Sequence, residues 1–308
     1  MPRPNRNSRD GQRNVSPAQM AVWASLLVLI TLLWGNSFIA IKYVVRYVTP
    51  LELVTVRFVP VAITFTIILL PKYRSGVWSI IRNEWWRLML LGLTGAVLYN
   101  VFLSWGETRV AAGTASLIIT LNPAFIYTLA VLFLKEQFSW GRVLGLAVAF
   151  GGVFVIVRWG SGRAVTLDDI GFAGITMLAP AMWAIFTVTG KTIVTRYPPL
   201  LVTGISMTFA GLFSLVFIRP SFAKLLPAFP VLFWWAVLFL ALPCTVFAFY
   251  IWFAALERLS AARVASFVYL VPMFGVTFSR WLLNESITPA LILGGIILIV
   301  GIWLVNRR

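Results

Sequence analysis

A chain of 308 residues that is 60% apolar, carries only 11% charged side chains and has a mean hydropathy of +0.93 is excluded from the soluble globular class, where about a quarter of residues are charged. The formal net charge of +16 invites a nucleic-acid reading, but apart from a short tail the 25 Lys and Arg stand overwhelmingly at the ends of apolar runs, so the chain is expected to have no nucleic-acid partner. Histidine is absent and the single cysteine, Cys244, rules out an intramolecular disulfide.

Residues 1–20 hold four Arg, Pro2, Pro4 and Gly11 and read as a disordered cytoplasmic tail. A spanning helix needs roughly 20 mostly apolar residues. Ten such runs follow, predicted at 21–41, 51–70, 87–106, 111–134, 141–158, 170–190, 200–218, 231–256, 261–283 and 288–305. The first is too long for a cleaved signal segment and no small-x-small site ends it, so it reads as a retained helix. With loops alternating between sides, 16 Lys and Arg fall on the side of the N-terminal tail, 8 on the other, and Arg57 lies within the second run. The positive-inside rule then puts both termini in the cytoplasm. The expected location is the cytoplasmic (inner) membrane of a bacterium, as a multi-pass protein.

Matching residues recur 149 positions apart. Trp34 pairs with Trp183, Lys42 with Lys191, Pro50 with Pro199 and Pro71 with Pro220. The series continues with Trp85–Trp86 and Trp234–Trp235, Pro123 and Pro272, Glu136 and Glu285, Gly145 and Gly294, and Gly152 and Gly301. These are uncommon residue types in one order, which predicts an internal duplication: residues 21–158 form one five-helix unit, 159–169 a linker loop, and 170–308 the second unit. Five is odd, so the second unit enters from the opposite face. The expected fold is an all-α polytopic membrane protein of ten transmembrane helices, arranged as two inverted five-helix repeats around a central cavity.

The segment from Gly106 to Ser116, leading to Leu121-Asn122-Pro123 and Lys135-Glu136, has a counterpart from Ala255 to Ser266, leading to Leu270-Val271-Pro272 and Asn284-Glu285. Each precedes a glycine-bearing helix. With Trp34-Gly35-Asn36 in the first run, the chain resembles the drug/metabolite transporter superfamily, EamA-type exporters, over residues 21–305. Its aromatic runs and lack of acids at mid-membrane look most like the YddG-type amino-acid exporters. The resemblance implies a central cavity lined by spans 1, 3, 4, 6, 8 and 9.

The nine Asp and Glu lie in the tail or near span ends, which favours transport without a buried proton carrier, by facilitated diffusion or exchange. Glu52 reads as an interfacial anchor or, second, as a substitute proton carrier. Arg57 reads as snorkelling to the near interface, with a substrate carboxylate as its alternative partner. Candidate cavity residues are Trp34, Asn36, Ser37, Tyr99, Asn100, Trp183, Tyr250, Ser266 and Tyr269, because a buried amide, hydroxyl or indole in lipid needs a partner. Helix packing alone also selects small residues such as Ser266. Pro123 and Pro272 are expected to kink spans 4 and 9 at mid-depth, as hinges or static bends. Glu136 and Glu285 are expected to bond neighbouring loops or helix N-termini and hold the repeats together, with gating as the other reading.

The expected function is export of small amphiphilic metabolites, neutral and aromatic amino acids first, as a facilitative monomer working by alternating access with the lipid bilayer as its setting. A broad drug or nucleobase exporter is the alternative. Without a phosphate loop or an acid, histidine or nucleophile cluster, no cofactor, no metal and no enzymatic reaction is expected; a lipid translocase is the remaining class.

Overall fold

The computed structural model describes residues 16–134, 139–160, 167–219, 222–259, 264 and 267–306. The expectations for residues 1–15, Lys135, Glu136, Pro220, Arg263 and Ser266 lie outside them. All regular structure among the described residues is helical. Seven helical segments are long and apolar enough to cross a membrane, and three shorter apolar helices, Val143–Trp159, Phe267–Leu283 and Pro289–Leu304, match the remaining predicted runs.

The first helix, α1 (Pro17–Val44), starts earlier than expected, inside the segment assigned to the tail. The reason is local: Ser16 accepts from the Gln19 N–H, Gln19 bonds back to Ser16, and Pro17 occupies the first turn. The same device, Thr49 with Glu52 behind Pro50, opens α2 (Pro50–Leu91). This helix leaves helical geometry at Tyr73 and Glu84, so the predicted loop after Pro71 is a kinked helix. Glu84 is fixed there by Arg87 at 2.9 Å and Arg196 at 2.8 Å. A wide-turn π segment (Gly92–Leu98) then runs into α3 (Tyr99–Glu107).

Span 4 is two pieces, α4 (Ala112–Ile119) and α5 (Asn122–Leu134), separated by a turn at Thr120 and Leu121. Then come α6 (Trp140–Trp159), α7 (Leu167–Val194), α8 (Pro199–Ser214), the short α9 (Phe222–Leu225) and α10 (Val231–Ala241). A second π segment (Leu242–Phe247) leads to α11 (Ala248–Arg258). A 3-10 turn (Phe267–Tyr269) precedes α12 (Leu270–Leu283), which ends at left-handed Asn284 (φ 54°), and α13 (Pro289–Asn306) closes the described chain. The expected mid-helix kinks at Pro123 and Pro272 are corrected: both prolines stand in the first turn of a new helix. The missing N–H costs little there.

The repeat reappears in three dimensions. Lys42 donates from Nζ to the carbonyls of Glu107 (2.5 Å) and Val110 (2.7 Å); Lys191 donates to those of Leu256 and Leu259 (3.2 Å). Both sets are related by the same shift of 149. Each lysine meets the carbonyl end of a neighbouring helix, where cations are favoured. The two π segments also correspond. Pro243 lacks the N–H for ordinary helical bonding, and Gly95 lets the Phe186 ring lie where a Cβ would be 2.1 Å away.

Helices α6 and α13 pack along a seam of glycines. A Cβ at Gly152 would stand 2.4 Å from the Leu298 nitrogen, and one at Gly301 would stand 2.3 Å from the Ala149 nitrogen. Without a hydrophobic drive between helices in lipid, such close backbone approach is the main source of their attraction. Outward faces remain apolar, with Ile63, Ile67 and Leu293 exposed and Trp85, Trp86, Trp234 and Trp235 at the helix ends. That distribution is the reverse of a soluble helix.

Candidate functional site: an amphiphilic cavity between the repeats

Trp34 of α1 and Trp183 of α7, equivalent residues of the two units, touch at the centre with ring centroids 5.4 Å apart. Phe249, Trp252 and Tyr99 complete the aromatic cluster, each 5.2–5.6 Å from Trp183. The Trp34 indole donates to the Cys244 carbonyl at 3.0 Å. That carbonyl lies in the second π segment, where the wide turn alters the helical bonding and leaves an acceptor for a partner.

A cavity adjoins this cluster. It is narrow, about 30 Å³, room for roughly two waters. Four repeat-related pairs line it: Trp34 with Trp183, Asn100 with Phe249, Ile119 with Val268, and Asn122 with Val271. The division within those pairs is chemical. Ser37, Arg57, Tyr99, Asn100 and Asn122, the polar side chains of the lining, all come from the first unit, whereas the second unit contributes Trp183, Phe249, Val268 and Val271. The second unit's wall is apolar, and the first unit's wall sets its polar groups among Trp34, Phe38, Ile41, Leu103 and Ile119.

Arg57 overturns its snorkelling assignment. Its side chain is buried, at 4% exposure, and turns into the bundle. Nε donates to Thr245 Oγ1 at 3.0 Å and Nη1 to Asn100 Oδ1 at 2.6 Å. Asn100 is oriented by its own donation to the Ala96 carbonyl in the first π segment, at 2.7 Å, and Thr245 lies within the second. One guanidinium thus joins the two irregular helices. Asn122 enters the cavity because span 4 breaks just before it, and its buried Oδ1 has no hydrogen-bond partner among the described residues.

Other candidates fall elsewhere. Asn36 is half-buried and donates to the Leu32 carbonyl of its own helix at 3.2 Å. Tyr250 is 37% exposed and its neighbour Phe249 takes the cavity position. Tyr269 packs half-buried in the 3-10 turn, and Val268 lines the cavity instead. Both misplacements are one residue, the shift expected when a π or 3-10 turn interrupts a regular helix. Arg57 and Asn122 are the residues that sequence reasoning underused. The Asn-Pro helix start at Asn122-Pro123 was the available signal.

A wider cavity of about 270 Å³ opens where α1 and α3 end, lined by Lys42, Arg109, Asp169 and Glu285. Glu285 accepts from the backbone N–H groups of Ala112 (2.9 Å) and Gly113 (3.0 Å), capping α4 from across the repeat boundary. Glu52 caps α2 and meets Arg219 at 2.6 Å, an anchoring arrangement. Glu107 differs. The expectation that no acid is buried fails here: Glu107 has no exposed surface, and both carboxyl oxygens lack a hydrogen-bond partner among the described residues.

The EamA-like transporter family model matches residues 21–158 and again 172–307. An "Uncharacterized transporter" of Archaeoglobus fulgidus is 28% identical over 289 residues, covering 94% of this chain and all of that protein. A "Probable terminal-alkyne amino-acid exporter" of Streptantibioticus cattleyicolor is 31% identical over 293 residues, covering 94% of each. A solved crystal structure at 19% identity superposes with a TM-score of 0.64 over 92% of this chain and 96% of that one, which shows the shared fold. Two family matches, one per half, cover nearly the whole apolar bundle, and the chain belongs to the EamA-like transporter family.

Proposed function

We propose that this transporter exports small amphiphilic metabolites, neutral and aromatic amino acids first, across the cytoplasmic membrane of a bacterium, with both termini in the cytoplasm. The observation that carries the reading is the divided cavity, with Asn100 and Asn122 on one wall and Phe249, Val268 and Val271 on the other. A molecule with a polar head and an apolar side chain satisfies both walls at once. The amino-acid exporter of Streptantibioticus cattleyicolor among its relatives supports the substrate class.

The units are read as inverted repeats that alternate between two conformations. The narrowness of the central cavity supports this, since an amino acid enters only when helices separate. Pro123 and Pro272, each at the start of a helix after a break, are the proposed hinges. Facilitated diffusion is the first reading of the driving force. Buried Glu107 favours a second, proton exchange, because a carboxyl without partners in lipid is costly unless it is neutral.

The experiment is efflux of labelled phenylalanine from liposomes holding the purified protein, with and without a pH gradient. Efflux above protein-free liposomes supports the amino-acid reading, and dependence on the gradient selects exchange over diffusion. Efflux of cationic drugs or nucleobases without any amino acid refutes it in favour of the broader exporter.

A further inference from the structure

Arg57 is a buried cation with no counter-ion. Its bonds go to two neutral groups, Asn100 and Thr245, and its guanidinium lies 5.3 Å from the Phe58 ring. No ion pair involves it among the described residues. A guanidinium has five N–H donors, so hydrogen bonds to Asn100 and Thr245 leave most of them unused. Removing a charge from water without a partner of opposite sign costs several kcal/mol, which hydrogen bonds to two neutral acceptors offset without supplying a counter-charge.

The second unit shows that the architecture does not need this cation. The residue 149 positions after Arg57 is Ser206, which is buried and bonds the Val202 carbonyl of its own helix at 2.7 Å. The same helix position is therefore filled in one copy by a residue that completes its own bonding and in the other by an uncompensated charge. That charge lines the central cavity. The same cavity is lined by the amide of Asn122, 3% exposed, whose Oδ1 has no partner among the described residues. One unpaired cation and one unpaired amide are complementary to a carboxylate and an ammonium on a single small molecule.

We propose that Arg57 anchors the carboxylate of the transported substrate, with Asn122 receiving its ammonium group and the aromatic wall its side chain. The inference deepens the amino-acid reading and rests on it for the ammonium, but not for the carboxylate. It makes the transporter selective for carboxylates and excludes cationic drugs, whose charge Arg57 repels. An anion bound there supplies the missing counter-charge, so ligand and fold stabilise one another.

The test is a thermal-shift series on the purified full-length protein with four probes of one skeleton: phenylalanine, phenylalaninamide, 3-phenylpropionate and phenethylamine. Phenylalanine and 3-phenylpropionate are expected to raise the unfolding midpoint. The amide and the amine are expected to bind roughly 10- to 100-fold more weakly, the equivalent of a lost hydrogen-bonded charge contact. Arg57→Gln abolishes the preference, and Arg57→Lys retains part of it, since a single ammonium replaces a planar fork. The proposal is overturned if the amide stabilises the wild type as well as the acid, if neither carboxylate shifts the midpoint, or if a folded Arg57→Gln protein binds both acids unchanged. The comparison of probes on the wild type needs no variant, so misfolding of Arg57→Gln leaves the test intact. Phenylalanine efflux from liposomes without carboxylate preference would remove the anchor and keep the exporter. Binding of 3-phenylpropionate through Arg57 without amino-acid efflux would do the reverse.

Discussion

Two adjacent glycines on α6 provide a controlled test of how the bundle is held together. A Cβ added at Gly152 would lie 2.4 Å from the Leu298 nitrogen, 2.7 Å from the Gly294 oxygen and 2.8 Å from the Leu298 Cα, whereas one added at Gly151 would meet nothing within 4 Å. Ordinary contact between carbon atoms is about 3.5 Å, and the obstructing atoms are backbone, which cannot rotate away. Helices α6 and α13 must then part by about 1 Å, and a gap of that size forfeits a quarter to a half of each dispersion contact along the seam. Gly152→Ala should therefore cost about 2 kcal/mol, within the range for overpacking. Gly151→Ala should be neutral or gain up to about 1 kcal/mol through helix propensity. Membrane proteins commonly unfold irreversibly, so the measurement is the fraction of purified protein that stays monodisperse after heating, read as a rate. Equal losses in the two variants, or greater damage from Gly151→Ala, would refute the seam.

Two further predictions concern Glu285 and Glu107. Glu285→Ala strips the cap from α4 and should cost about 2–4 kcal/mol, while Glu285→Gln keeps one acceptor and should lose about half as much in the same heating assay. Glu107→Gln preserves shape and removes the charge, so folding should survive with a loss below about 1 kcal/mol; if proton exchange drives export, liposome efflux becomes insensitive to the pH gradient in this variant.

The architecture was legible because lipid imposes a simple rule: backbone groups must bond internally, so each crossing is a long apolar helix. The runs read from Ala21 onward therefore correspond to the ten helical segments, and the shift that pairs Lys42 with Lys191 recurs in their hydrogen bonds. The site was less legible because it is built where the helices are irregular. The π segments at Gly92–Leu98 and Leu242–Phe247 rotate everything that follows, so regular spacing selected Tyr250 where Phe249 lines the cavity. Arg57 stands nearly two turns from the start of its helix, and depth alone cannot tell an outward guanidinium from one turned inward to Asn100 and Thr245. Glu107 looked interfacial for the same reason: nearness to a helix end says nothing about what covers it.

Comparing the two units separates scaffold from chemistry. Where both copies carry the same device, as with the lysines on helix ends, the π segments and the glycines between α6 and α13, the feature holds helices in register and would serve any cargo. At five diverging positions the first unit holds the charged or more polar residue, Arg57 against Ser206, Tyr99 against Ala248, Asn100 against Phe249, Asn122 against Val271 and Glu107 against Leu256, whereas Phe38 against Thr187 runs the other way. Four of these five first-unit residues line the central cavity. Each is buried or half-buried, so each opposes the favourable transfer of that helix into an apolar surrounding. A duplicated bundle would be more stable with the apolar residue in both copies. Under the proposed function the polar set serves the substrate, held with its polar head towards the first unit and its apolar body towards the second.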